Sequence, residues 1–362
     1  MLVITCHLTY QFAELPYPVH RLTVTGWFGV QLFFLASCIT LLQSWHAERR
    51  RYGVVSVRTF FMRRFFRIAP AYYLAAILYS VVEPVAYGYG WNVLASVTFT
   101  NALFPTWAIG ARSIVPGGWS IGAEFAFYAL FPLFAACATT LGRAVLVFLG
   151  AVAFDVLANR AILPWLDATP PDDVVNGLFF WFPNQASVFA LGGIAYFLVQ
   201  GVGIPPRLQR WIARWNTVTA LAAALAFCAL AYIPLGHNLG DGFGIPAFLA
   251  VSAVFTVVIV ALSAGPSILV NPAVAMMGQV SFSAYLLHFA VLRVMGAFPA
   301  IAHTQATGYA AIAAFAVAWP VVVLATFALA WLSYRWIEAP MVRFGKTLTG
   351  VRTYAPLTSA RS

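Results

Sequence analysis

The sequence predicts an all-α fold, a polytopic bundle of about ten transmembrane helices with a short first helix. Three observations lead there. Hydrophobic residues make up 62% of the 362, while charged residues make up 8%, so the long uncharged runs need a bilayer rather than a soluble core. Gly and Pro recur inside those runs, which membrane helices tolerate because neighbouring helices re-satisfy the backbone. The basic residues, for a net charge of +10, sit in short loops between apolar spans instead of forming a stripe or a long tail. That distribution sets membrane topology and excludes a nucleic-acid partner.

A span needs roughly 20 apolar residues. Candidates run over 27–45, 69–88, 119–140, 144–158, 178–200, 217–235, 244–264, 273–298 and 308–334. The apolar start "MLVITCHLTYQF" is shorter: its residues reach about 18 Å of a hydrocarbon core roughly 30 Å thick. Either this helix is packed short, or the true chain begins upstream of Met1. Cytoplasmic loops carry the excess of Lys and Arg, and "HAERRRYGVVSVRTFFMRRFFR" brings seven arginines between residues 49 and 67. With that loop inside and residues 91–118 as an outer-face or re-entrant segment, Arg143, then Arg207, Arg210 and Arg214, and the tail from Arg335 all fall inside. The acidic "LDATPPDDVV" falls outside, and both termini are cytoplasmic. No repeat or polar linker divides the chain, so residues 1–345 are read as one membrane-embedded domain and 346–362 as a cytoplasmic tail. The start lacks the basic region and cleavage site of a signal peptide. Cys6, Cys38, Cys137 and Cys228 have no paired or metal-ligand spacing and are read as small apolar core residues, with no metal site expected.

Ionisable groups inside apolar spans are costly and are functional candidates by default. Glu124 lies in the first turns of the helix beginning "WSIGAEFAFYALFP", with Ser120, Phe127, Tyr128 and Phe131 on its face. It is read either as a structural ion pair or hydrogen-bonded acid, or as a catalytic or substrate-orienting carboxylate. His7 is a candidate general base, since imidazole titrates near neutral pH and can take a proton from a hydroxyl; the bland alternative is a satisfied core histidine. His288, in "GQVSFSAYLLHFAVLRV", has the same two readings, and Arg293 lies near the outer end of that helix. Arg63, Arg64 and Arg67 line the inner mouth of the helix that starts at "IAPAYYL". They are read either as positive-inside anchors or, for Arg64 and Arg67 three residues apart, as a grip for phosphates.

Together these segments resemble the acyltransferase-3 family, membrane acyltransferases of the O-antigen acetylase type. "GWFGVQLFFLASCITLL" is similar to the family's "GVdlFFvlSGfl", and "RRFFRIAPAYYL" to its "RRxxRIxPxY". "WSIGAEFAFYALFP" resembles "WSLsvEeqFYLlFP", matching Trp119, Ser120, Glu124, Phe127, Tyr128 and Pro132. "GQVSFSAYLLHFAVL" resembles "GxxSYslYLlHfpv", and "LSYRWIEAPMVRF" the closing E-x-P segment, with Glu338 and Pro340. The family pairs an Arg with a catalytic His after ten intervening residues. His7 matches that His, and its Arg would fall before Met1; with the short span, the resemblance leads to the expectation that the first helix is truncated.

The resemblance implies His7 and Glu124 as catalytic, Arg64 and Arg67 as donor-binding, and Trp119, Ser120, Tyr128, His288 and Glu338 as substrate-binding or supporting residues. It implies no permanently bound cofactor, acetyl-CoA or another acyl-CoA as donor, a glycan or lipid-linked sugar as acceptor, and a multi-pass position among the lipids of a bacterial inner membrane. The first rival is a flippase or transporter, against which the absence of two related halves counts.

Overall fold

The computed structural model describes residues 1–82, 90–105, 113–166, 171–233, 246–298 and 304–349. Most of the expected cytoplasmic tail, the end of the second expected span and part of the acidic outer stretch lie outside them. The described residues form helices, and their only β pairing is an isolated bridge between Glu14 and Thr307.

In chain order, α1 (Leu2–Thr9) and α2 (Tyr17–Val24) lead through a 3-10 turn into α3 (Gly29–Tyr52). Helix α4 (Val57–Val82) carries the arginine element and α5 (Trp91–Val97) is short. Then come α6 (Trp119–Cys137), α7 (Leu141–Ile162), α8 (Pro171–Phe180), α9 (Phe182–Val199), α10 (Pro206–Arg214), α11 (Asn216–Leu230) and α12 (Ala247–Ser263). Helices α13 (Pro272–Gln279), α14 (Ser281–Gly296) and α15 (Gly308–Ser333) follow, and a π-helical turn at Tyr334–Glu338 joins α15 to α16 (Ala339–Leu348).

The sequence marks several of these ends. Gly53, at φ 75°, closes α3 after Arg49, Arg50 and Arg51, since glycine enters the left-handed region freely and cations suit the C-terminal dipole. Thr140 and Asn271 cap α7 and α13 by accepting from the Arg143 and Val274 amides. Pro70, Pro132 and Pro320 sit inside helices, as membrane helices allow.

Among the described residues, six helical stretches are long and apolar enough to cross a membrane, and up to eight if two bent pairs each count as one span. The expected ten is therefore approximate. The bent pairs are α10 with α11, at 82°, and α13 with α14, at 73°; the 17-residue α12 and the eight-residue α1 are shorter than a full span. The second span begins earlier than expected, because "VRTFFMRRFF" is helical and continuous with "RIAPAYYL". Hydropathy alone excludes arginines from a helix that interfacial side chains can readily extend.

Helix α9 is the hub, packing on α7, α3, α12 and α6. Its Gln185 accepts from Gln31 of α3 at 3.0 Å, and Gly192 brings the two backbones together: a Cβ there would stand 2.6 Å from the Cys38 Cβ and 3.2 Å from the Leu35 carbonyl. Small residues at such contacts are the usual means of close helix packing in lipid. Gly192→Val is expected to destabilise the bundle, because overpacking costs about 1–3 kcal/mol and helix propensity returns at most about 1. A fall in the thermal midpoint of the detergent-purified protein checks this.

Two cysteines depart from expectation. Cys6 and Cys38 are core residues, but Cys137 is exposed and Cys228 half-buried. An apolar helix tells little about which of its faces turns inward.

Candidate active site

Among the described residues, two of the bundle's polar clusters hold the candidate site residues, and α6 links them. At the first, His7 of the half-buried α1 face meets α14. Its ring lies 5.3 Å, centroid to centroid, from His288 and 4.4 Å from Phe289, while Phe289 packs 4.0 Å from His288. His288 is fully buried. Its Nδ1 lies 2.6 Å from the Tyr285 carbonyl, one turn back on α14, so Nδ1 carries the hydrogen and donates it. His288 Nε2 has no hydrogen-bond partner among the described residues. Its printed hydrogen bond stays within α14, and its ring also lies beside that of His7.

The second cluster gathers α3, α4 and α6. Ser37 donates to Glu124 Oε1 at 2.7 Å, and Tyr128, one turn along α6, donates to the same oxygen. Arg64 lies within electrostatic reach of both Glu124 and Tyr128. The three arginines of the element therefore separate. Arg63 forms an ion pair with Glu48 of α3 at 2.9 Å, Arg64 is half-buried within electrostatic reach of Tyr128 and Glu124, and Arg67 is exposed, with the Glu338 carboxylate within its electrostatic reach. Glu338 is itself buried, ends the π-helical turn and accepts from Ser283 of α14 at 3.1 Å. π-Helical turns are rare and recur at functional sites.

Ser120 connects the clusters. It stands one turn before Glu124, and its hydroxyl donates to the Tyr285 hydroxyl at 2.9 Å. Tyr285 in turn donates to the Gly117 carbonyl at 2.8 Å, and its ring lies 5.8 Å from His288. A line of polar side chains thus runs Arg64, Glu124, Ser120, Tyr285, His288, His7. Trp119 stands off this line. It stacks on Phe180 at 4.7 Å, edge-on to Phe34 and Phe179, as part of the aromatic core.

The chemistry available is that of an imidazole flanked by aromatic rings and a second imidazole, with a cationic side chain at the far end of the same line. A family whose model is described as an acyltransferase domain matches residues 1–335. The chain belongs to this acyltransferase family. It is also 28% identical over 316 residues to the acyltransferase MdmB of Streptomyces mycarofaciens, covering 80% of this chain and 76% of that relative. No solved structure matches it. This protein is a membrane acyltransferase, an enzyme that transfers groups other than aminoacyl groups.

Several of the acyltransferase's polar residues escaped the sequence reading. Ser37 carries no signal in sequence, since a serine in an apolar helix is ordinary. Asp155 of α7 was legible by the same rule that marked Glu124, as an acid inside an apolar run. It is fully buried against Ser187 of α9. One turn on, Asn159 and Asn184 exchange side-chain hydrogen bonds of 2.5 and 3.1 Å, so this seam holds α7 to α9, away from the line described above.

Proposed function

We propose that the acyltransferase is an O-acyltransferase of the bacterial inner membrane, most plainly an O-acetyltransferase. It takes the acyl group from cytoplasmic acyl-CoA and delivers it to a hydroxyl of a surface or secreted glycan or a related molecule. The observation that carries this reading is the placement of His7 beside His288 at one end of a polar line whose other end holds Arg64, with Arg67 on the same helix one turn further on.

In this reading Arg64 and Arg67 take the phosphates of coenzyme A, since guanidinium groups bind phosphate in charge-assisted, bidentate fashion. Glu124, held by Ser37 and Tyr128, fixes Arg64 and balances its charge. His7 accepts the proton of the acceptor hydroxyl as the oxygen attacks the thioester carbonyl. The tetrahedral intermediate collapses with loss of coenzyme A thiolate, and the proton passes from the imidazolium to that thiolate. Holding donor and acceptor together supplies much of the rate, because a thioester needs little covalent help. Residues 1–345 form the catalytic domain and the remainder a cytoplasmic tail, with both termini inside.

The decisive experiment supplies labelled acetyl-CoA to membranes containing the acyltransferase and follows label into hydroxylated glycan. Surface-glycan O-acetyl groups are compared by NMR with and without the gene. Label transfer and loss of O-acetyl signals on deletion are expected. Movement of an unmodified solute across the membrane, with no acyl-CoA consumed, would instead support a transporter.

A further inference from the structure

We infer that His288 is a positioning residue for His7: its Nε2 accepts a hydrogen bond from one ring N–H of His7, fixing the tautomer that leaves the other ring nitrogen free to take a proton. This rests on the reading of His7 as the general base.

The argument starts from the far side of the His288 ring. Because Nδ1 donates to the Tyr285 carbonyl at 2.6 Å, the neutral ring carries its lone pair on Nε2. That nitrogen is fully buried and lacks a partner among the described residues, and a buried acceptor left unpaired costs about 1–3 kcal/mol. A side chain beside it that can donate is His7, whose ring centroid lies 5.3 Å from that of His288. The two rings are tilted by 36° and form no hydrogen bond in the described conformation, and a rotation of the His7 ring brings one of its N–H groups to the roughly 3 Å that an N–H···N bond needs. Phe289 packs on both rings, 4.4 Å from His7 and 4.0 Å from His288, which limits their freedom to turn apart. Tyr285 is anchored in its turn to Gly117 and Ser120, so the orientation of His7 is tied through α14 to the first turn of α6.

The chain of contacts is thus Tyr285 carbonyl, His288 and His7. It performs the orienting part of a catalytic triad with a neutral ring where a carboxylate more often stands, and orientation through such a partner carries large rate effects. In the proposed arrangement protonation of His7 leaves that N–H in place, so the imidazolium keeps its hydrogen bond while the intermediate breaks down.

The test compares His288→Leu, which removes the acceptor, with His288→Gln, whose amide can both donate to the Tyr285 carbonyl and accept from His7. In the leucine variant kcat is expected to fall about 10–100-fold, the range for losing an orienting partner, with KM for acyl-CoA unchanged. The glutamine variant is expected to recover most of the rate. Nitrogen-15 NMR of histidine-labelled enzyme reads the tautomer directly: His7 is expected as a single tautomer in the wild type and in His288→Gln, and as a mixture in His288→Leu. A leucine variant with wild-type kcat, a glutamine variant no better than leucine, or a mixed His7 tautomer in the wild type each overturns the assignment. If the leucine variant does not fold, the glutamine variant and the wild-type spectrum still decide it. Loss of the transferase reading shows separately, as a wild-type enzyme that transfers no acyl group, and the tautomer measurement stands without it.

Discussion

His7→Ala is expected to lower kcat about 10²–10⁴-fold, the contribution of a positioned general base, while leaving coenzyme A binding intact. The geometry separates the two effects. The His7 ring packs by His288 and Phe289, whereas Arg64 lies at the other end of the line within electrostatic reach of Glu124, and Arg67 lies within that of Glu338. The side chain is half-buried in an eight-residue helix, so its truncation removes less packing than loss of a core aromatic does. The measurement is acyl transfer by the variant alongside calorimetric binding of coenzyme A and a thermal unfolding curve. Normal O-acylation by a folded His7→Ala protein would falsify the mechanism. Loss of both transfer and coenzyme A binding would instead place the donor at His7.

Arg67→Gln and Arg64→Gln are expected to weaken the donor by different routes. A hydrogen bond to a charged group contributes about 1.5–3 kcal/mol, and about 1.4 kcal/mol is a factor of ten, so each substitution should raise KM for acyl-CoA by roughly 10–100-fold. Arg67 is exposed, so its loss should leave the thermal midpoint near that of the wild type. Arg64 is half-buried, its Nε is without a hydrogen-bond partner among the described residues, and it lies within electrostatic reach of Tyr128 and Glu124. Its removal leaves Glu124 without that cation and should lower stability as well. Arg63→Gln is the control. Its partner is Glu48 at 2.9 Å, and both side chains are partly exposed, a class of pair that contributes about 0–1 kcal/mol. Steady-state kinetics on the three variants distinguish phosphate binding from anchoring. Equal effects at Arg63 and Arg67 would return the element to a topological role.

The membrane-helix class of this protein was legible in the sequence because it depends on totals: few charges, long apolar runs, and basic loops between them. Individual candidates were legible for a related reason, since an ionisable group in an apolar run is costly enough to stand out. That reasoning found His7, Glu124 and His288, and it applied equally to Asp155, which the structure places in a packing seam between α7 and α9.

What the sequence could not supply was the pairing. Arg63, Arg64 and Arg67 are nearly equivalent in "RRFFR", yet one pairs with Glu48, one lies half-buried within electrostatic reach of Glu124 and one stays exposed within that of Glu338. Trp119 and Ser120 are adjacent in the same motif, yet one stacks on Phe180 in the core and the other hydrogen-bonds Tyr285 on the polar line. A soluble helix announces its inner face by an apolar stripe, whereas a helix in lipid is apolar around its circumference and packs by shape. Its rotation and depth are therefore set by its neighbours. Composition alone placed these residues in membrane helices; only tertiary packing decided that His7 of α1 faces His288 of α14.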